Sequence, residues 1–197
     1  MNNIEKSKTG LLFGSFNPVH NGHLIIANYM LQYAGLNEVL LVVSPQNPFK
    51  TEEWLLDEST RFELVKAALF GNEYIKASDI EFNMSTPSYS IDTINKLIKE
   101  NPEKDFVLII GSDNQDDFDK WKNYEAILNK VEIFVYPRPG NKPTKFLMHP
   151  KIKQILAPLI DISSTAIREM IKEGKDIRYF VPDSVYYEII KRGLYTK

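Results

Sequence analysis

Two histidines near the beginning of the chain have the spacing of an anion-binding site. His20 and His23 straddle Gly22 and follow a short apolar stretch that ends at Gly14. The apolar pattern after His23 predicts that a helix begins here, and residues three apart lie on one face of a helix. Backbone N–H groups at a helix start attract anions. The pattern therefore favours a phosphate site over its alternative, a strand–helix corner with two surface histidines.

A second group of polar side chains has the composition of a phosphate-binding helix start. Ser163, Ser164 and Thr165 come directly before a helical apolar pattern, and Arg168 follows one turn later. Hydroxyls, backbone N–H groups and a guanidinium all donate hydrogen bonds to phosphate oxygens. By itself this run also fits a well-capped surface helix. The occurrence of both patterns in one chain is what favours a ligand site.

The composition is that of one soluble α/β domain, expected to span residues 1–197 with residues 1–8 as a loose lead-in. The net charge of −2, without a run of Lys and Arg, gives no reason to expect a nucleic-acid partner. The absence of cysteine excludes disulfides and cysteine-based zinc sites. No apolar run reaches the length of a membrane span and no signal peptide opens the chain, so a cytoplasmic protein without a membrane partner is expected. Homo-oligomer formation stays open.

Alternating strand and helix patterns predict an α/β fold, a single doubly wound, Rossmann-like domain with a mostly parallel sheet and helices on both faces. Residues 38–44 and 105–113 each contain five consecutive apolar residues, as in strands that are covered on both sides. Ligands in such sheets bind beyond the carboxyl ends of the strands. This rule places Asp113 near a sugar, although it could instead cap a helix predicted over residues 115–128.

A further helix start is predicted at residues 87–94, where Pro87 and Ser88 provide a turn and a cap. Its backbone N–H groups again suit an anion. Tyr89 either contacts a ligand there or packs against the next element. Trp121 is expected on the helix over residues 115–128, where a tryptophan is more often a core residue than a ligand platform.

The residues from Gly14 to His23, Gly-Ser-Phe-Asn-Pro-Val-His-Asn-Gly-His, resemble the G-x-F-x-P-x-H-x-G-H signature of the nucleotidylyltransferases. Those enzymes are related in fold to class I aminoacyl-tRNA synthetases. Residues 162–168 match the I-S-S-T-x-I-R motif of the same enzymes at every defined position. Within that group, the Pro-Ser-Tyr-Ser-x-Asp-Thr segment at residues 87–93 and the Gly-Ser-Asp at 111–113 are similar to bacterial nicotinate-nucleotide adenylyltransferases.

This resemblance implies adenylyl transfer from ATP, bound with Mg²⁺, to nicotinate mononucleotide, which gives deamido-NAD and pyrophosphate in NAD biosynthesis. No metal site built from protein residues is expected. The resemblance assigns catalysis to His20, His23, Lys50 and Arg168. It assigns binding of ATP and its phosphates to Gly14, Ser15, Phe16, Gly22, Gly111, Asp113, Ser163, Ser164 and Thr165. It assigns binding of nicotinate mononucleotide to Tyr89, Ser90, Trp121 and Arg138.

Four positions depart from the family pattern. Asn17 stands in place of a common aspartate, Asn47 in place of a proline, Phe49 in place of a histidine, and Ser90 in place of a threonine. Two alternatives therefore stay open. One is another enzyme with the same histidine motif, which would use nicotinamide mononucleotide or phosphopantetheine. The other is a nucleotide-binding regulator without catalysis.

The position of cations bears on how the pyridine ring would be recognised. Lys120 is the only Lys or Arg within residues 87–93 and 113–121. We therefore expect backbone N–H groups near Tyr89 and Ser90 to bind the nicotinate carboxylate, because the helix dipole favours negative charge there. The ring would then stack on Trp121.

Overall fold

The computed structural model describes residues 6–45, 54–140 and 142–196, and these contain one sheet of six strands, all parallel to their neighbours. The strands are β1 (Ser7–Gly14), β2 (Glu38–Val43), β3 (Ile75–Ser78), β4 (Lys104–Gly111), β5 (Glu132–Tyr136) and β6 (Ile152–Gln154). Their order in the sheet is β3-β2-β1-β4-β5-β6. Chain order therefore reverses between β1 and β4, the arrangement in which a crevice opens at the carboxyl ends of the two central strands.

Helices connect the strands and follow β6. They are α1 (Asn21–Tyr33), α2 (Glu58–Ala68), α3 (Ser90–Glu100), α4 (Ser112–Gln115), α5 (Tyr124–Lys130), α6 (Ser164–Lys172) and α7 (Asp183–Arg192), with a 3₁₀ turn at Phe118–Lys120. Asp57 caps α2, since its side chain accepts a hydrogen bond from the backbone N–H of Thr60 at 2.9 Å. Within the described ranges, no helix is both long and apolar enough to cross a membrane.

The side chains of the central strands alternate between two hydrophobic cores, one on each face of the sheet. In β4, Val107 and Ile109 pack in the core that includes residues of α1, α2, α6 and α7. Leu108 and Ile110 pack on the opposite face with residues of α3 and α5. Because both faces are covered, the strand residues are apolar in an unbroken run. The prediction of a doubly wound sheet with helices on both faces is confirmed.

Three local predictions differ from the structure. Strand β1 begins at Ser7, so the strand includes the last two residues of the predicted lead-in. Strand β6 was not predicted, because it is a three-residue edge strand in which only Ile152 is buried. The helix predicted over residues 115–128 is divided into α4, the 3₁₀ turn and α5. Asn123 has a left-handed backbone with φ of 51°, which a continuous helix cannot contain.

The guanidinium of Arg61, on α2, is completely buried and ties this helix to the end of the sheet. It donates hydrogen bonds to four backbone carbonyls, those of Leu56, Ser15, Ser44 and Pro45, at 2.6–2.8 Å. Ser15 directly follows β1, and Ser44 directly follows β2. Arg61 therefore holds together the carboxyl ends of two neighbouring strands.

Arg61→Met is expected to lower the free energy of unfolding by at least about 3 kcal/mol, because it leaves several buried carbonyls without a donor. Urea denaturation measures this loss. Arg192→Met is the matched control, since Arg192 bonds Glu63 and Thr60 at a partly exposed position. The control is expected to cost about 1 kcal/mol or less. Equal losses in the two variants would contradict the structural role assigned to Arg61.

Candidate active site

A cleft of about 570 Å³ lies at the carboxyl ends of β1 and β4. This is the position where the helices that follow the two strands leave toward opposite faces of the sheet. The predicted site residues that line the cleft are Gly14, Ser15, Phe16, His20, Gly22, His23, Tyr89, Ser90, Gly111, Asp113, Trp121, Arg138, Ser163, Ser164 and Thr165. The structure thus brings together residues from five separate segments of the chain.

One of the predicted catalytic residues, Arg168, is described by the structure but is not among the residues that line the cleft. Lys50 lies outside the described residues. Arg168 lies on α6 and points at the segment that follows β1, where Nη1 donates to the carbonyl oxygen of Asn17 at 2.8 Å. Its Nη2 donates to Oγ1 of Thr165 at 3.4 Å. In this structure Arg168 therefore braces the loop and the helix start.

The two histidines form a stacked pair at the start of α1. His20 occupies the position before the helix and His23 is its third residue. Their ring centroids are 3.6 Å apart with an interplanar angle of 22°, and Nδ1 of His23 accepts a hydrogen bond from the backbone N–H of His20 at 3.2 Å. A Cβ atom on Gly22 would meet the His20 ring at 3.0 Å. Glycine is therefore needed here for the ring of His20 to pack against the helix.

His20 is only 4% exposed, and this burial has an electrostatic consequence. Burial, together with the nearby charge of Arg138, lowers the pKa of His20 from 6.5 to about 4. Within the described part of the chain, Nδ1 of His20 has no hydrogen-bond partner. At neutral pH the imidazole is therefore uncharged, and it lines the cleft as a buried polar group.

The end of β4 forms the second wall of the cleft. A Cβ atom on Gly111 would clash with Oδ1 of Asp113 and lie 2.9 Å from Cγ of Arg138, so only glycine leaves room for both side chains. Nε of Arg138 lies 3.7 Å from Oδ2 of Asp113. The alternative role of Asp113 as a helix cap is wrong, because Gly111 occupies the cap position of α4. The carboxylate instead projects over the strand end.

The three hydroxyls at the start of α6 have different roles. Ser163 caps the helix, since its Oγ accepts a hydrogen bond from the backbone N–H of Ala166 at 3.2 Å. Oγ of Ser164 donates to the carbonyl oxygen of Pro18 at 2.9 Å, which ties α6 to the loop before the histidines. Thr165 accepts from Arg168. The hydroxyl hydrogens of Ser163 and Thr165 thus remain for a ligand, while that of Ser164 is engaged.

Tyr89 and Trp121 lie on the side of the cleft formed by α3 and the 3₁₀ turn. Tyr89 precedes the first residue of α3, and Trp121 directly follows the turn, packing on Phe118 with ring centroids 5.4 Å apart. The prediction that Trp121 lies on a helix is wrong, because the helix is interrupted there. Lys122, which the sequence did not single out, places its Nζ 4.3 Å from the centroid of the Tyr89 ring.

Glu81 is a second residue that sequence reasoning missed. It is 2% exposed, and its carboxylate accepts hydrogen bonds from the hydroxyls of Ser88 and Thr93, both at 2.6 Å. Ser88 was predicted to cap α3, but its hydroxyl is bound to Glu81 instead. The sequence around Glu81 has no clear periodic pattern, so it did not predict that this glutamate would be buried and bound to two hydroxyls. The contacts hold the segment that presents Tyr89 to the cleft.

The departure at Asn17 has a structural explanation. Asn17 is 1% exposed, and its Nδ2 donates to the carbonyl oxygen of Trp54 at 2.9 Å. Its Oδ1 accepts from the hydroxyl of Tyr195 at 2.9 Å and from the backbone N–H of Leu56 at 3.4 Å. An amide can donate and accept at once, whereas an ionised carboxylate only accepts. The asparagine therefore suits partners that an aspartate could not satisfy.

Comparison with known proteins agrees with this geometry. The model of the Cytidylyltransferase-like family matches residues 11–170. A probable nicotinate-nucleotide adenylyltransferase of Cytophaga hutchinsonii is 48% identical over 96% of this chain and 98% of its own length. The corresponding protein of Bacteroides fragilis is 46% identical over 96% of this chain and 94% of its own.

Solved structures show the same fold. Plasmodium falciparum nicotinic acid mononucleotide adenylyltransferase complexed with NaAD superposes with a TM-score of 0.80 and 20% identity, over 96% of this chain and 97% of the other. The likeness in fold and the high identity to the bacterial relatives agree with the motif resemblance described above. The chain therefore belongs to the nicotinate-nucleotide adenylyltransferase family of cytidylyltransferase-like proteins.

Proposed function

We propose that this chain transfers the adenylyl group of ATP to nicotinate mononucleotide, with deamido-NAD and pyrophosphate as products. The observation that carries the proposal is that three features line one cleft at the carboxyl edge of the sheet. These are the histidine pair of α1, the start of α6, and the aromatic wall of Tyr89 and Trp121. The first two suit the phosphates of two substrates, and the third suits a flat ring.

The reaction needs no nucleophile from the protein. A phosphate oxygen of the mononucleotide attacks the α-phosphorus of ATP, and the new P–O bond replaces the bond to the β-phosphate, which leaves as pyrophosphate. Because the attacking oxygen is already an anion, no side-chain base is required. Catalysis then depends on positioning the two substrates and on stabilising the charge that develops on the α-phosphate and the leaving group.

The histidines would act on that developing charge. His20 and His23 lie at the start of α1, where backbone N–H groups and the helix dipole also favour negative charge. In the free protein His20 is neutral at pH 7 because of its lowered pKa. A neutral imidazole donates one hydrogen bond from a preorganised position. Bound phosphates would raise its pKa, since negative charge favours the protonated form.

Mg²⁺ would enter with the triphosphate. In the ranges of the chain that the structure describes, no group of three or more His, Cys, Asp and Glu residues could hold a metal ion. This agrees with the usual behaviour of Mg²⁺, which is bound mainly by substrate phosphates and water. When bound, the ion would neutralise charge on the transferring and leaving phosphates. We assign no protein ligand to it.

Substrate choice tests the proposal directly. We expect pyrophosphate release from ATP and Mg²⁺ with nicotinate mononucleotide, at a kcat/KM roughly tenfold or more above that with nicotinamide mononucleotide, because one substrate carries an extra charge. Phosphopantetheine is the third acceptor to assay. Turnover with phosphopantetheine alone would replace the proposed substrate. Nucleotide binding without turnover of any acceptor would favour a regulator.

His20→Ala and His23→Ala are each expected to lower kcat by on the order of a hundredfold or more, as when a preorganised donor to a transition state is removed. Steady-state pyrophosphate release measures the effect. His149→Ala is the matched control, because this third histidine accepts a bond from the backbone N–H of Lys151 and does not line the cleft. A normal kcat in either cleft variant would remove that histidine from the mechanism.

The lowered pKa of His20 can be tested without turnover. Two-dimensional NMR of the ¹⁵N-labelled protein, with the His20 signal assigned from His20→Gln, should show a titration near pH 4. Since the unfolded chain binds this proton near pH 6.5, the stability due to neutral His20 is complete above pH 6.5 and decreases as the pH falls toward 4. Titration of His20 at its ordinary value would contradict the electrostatic argument.

A further inference from the structure

We propose that Lys122 is a specificity-determining residue that selects a mononucleotide with a carboxylate on its pyridine ring. This inference rests on the proposed function and identifies the side chain that binds the carboxylate of the pyridine ring. It adds a charged side chain to the expectation from the sequence, in which backbone N–H groups would bind the carboxylate. That expectation counted cations only as far as Trp121, one residue before Lys122.

The position of the Lys122 ammonium group carries the inference. Lys122 lines the cleft directly after Trp121, between the 3₁₀ turn at Phe118–Lys120 and the left-handed residue Asn123. Its Nζ lies 4.3 Å from the centroid of the Tyr89 ring. This stretch of irregular backbone thus places the ammonium beside the segment that begins α3.

The same ammonium group meets the first turn of α3. Nζ of Lys122 lies 2.9 Å from Oδ2 of Asp92, the third residue of this helix. The ammonium therefore lies beside the start of α3, where the first backbone N–H groups of a helix have no partner within the helix. A carboxylate on a ring placed between Tyr89 and Trp121 would meet both kinds of donor. The two positive contributions coincide at the pyridine end of the cleft.

The bond to Asp92 does not prevent this role. The two side chains are 44% and 43% exposed, and an exposed pair of this kind contributes little to stability. A substrate carboxylate could therefore share the ammonium with Asp92, or displace Asp92, at small cost. A carboxamide, which carries no charge, would gain much less from the exchange.

Other cations of the cleft region have different partners. Lys120 lies two residues earlier, but its Nζ pairs with Asp117 at 2.6 Å and its side chain is 66% exposed. Arg138 pairs with Asp113 at the end of β4, and its charge acts on His20. Arg138 therefore belongs to the end of the cleft near the histidines. Of the three side chains, Lys122 is the one in contact with Tyr89.

The test compares both mononucleotides in four variants. In Lys122→Met, kcat/KM for nicotinate mononucleotide is expected to fall about tenfold or more through KM, with little change for nicotinamide mononucleotide, as when one charged hydrogen bond is lost. Lys122→Arg should retain most of the preference. Asp92→Asn, which frees the ammonium, should increase it. Lys120→Met is the matched control and should leave the ratio of the two kcat/KM values unchanged.

Isothermal titration calorimetry of the same variants with each mononucleotide separates this inference from the proposed function. If the wild-type chain releases no pyrophosphate with either acceptor, the proposed function fails, and the binding constants still decide on Lys122. A selective loss of affinity for nicotinate mononucleotide in Lys122→Met supports the inference. Equal losses for both mononucleotides, or an unchanged ratio, would overturn it and leave Lys122 as a packing partner of Tyr89.

Discussion

The site depends on how the carbonyl oxygens of the loop between β1 and α1 are satisfied. Side chains from two distant helices donate to them: Arg61 of α2 to Ser15, Arg168 of α6 to Asn17, and Ser164 of α6 to Pro18. A buried carbonyl without a donor is costly, so these bonds define one conformation of the loop. The loop ends at His20. The position of the stacked histidines is therefore fixed by hydrogen bonds from α2 and α6, which follow them in the chain.

This arrangement explains why the two sequence motifs occur together. The Ser-Ser-Thr and arginine of α6 look like a phosphate site on their own, but half of that motif, Ser164 and Arg168, bonds the backbone of the histidine loop. The remaining hydroxyls face the cleft. One helix start thus positions the first motif and contributes to the second. Loss of α6 would remove hydroxyls that line the cleft and also release the loop that carries the histidines.

The sequence predicted most reliably what is encoded in repeated patterns. Buried parallel strands are continuous apolar runs, and the helix starts at the cleft carry glycines and hydroxyls at close spacing. The missed features each depend on a contact between segments. Arg61 could equally have been an exposed helix residue, and Glu81 is recognisable only once Ser88 and Thr93 lie beside it. The sequence alone does not predict that an arginine will be buried among backbone carbonyls or a glutamate among hydroxyls.

The two ends of the cleft also differ in how far a sequence pattern can predict them. The end with the histidines and the hydroxyls of α6 is built at the starts of regular helices, so short motifs describe it and relatives of low identity keep the same fold. The end with Tyr89 and Trp121 is built from a 3₁₀ turn, a left-handed residue at Asn123 and a loop fixed by Glu81. No periodic pattern specifies such a surface. Side chains there can change without disturbing the sheet, and this is where a common adenylyl-transfer scaffold can acquire its preference for one acceptor.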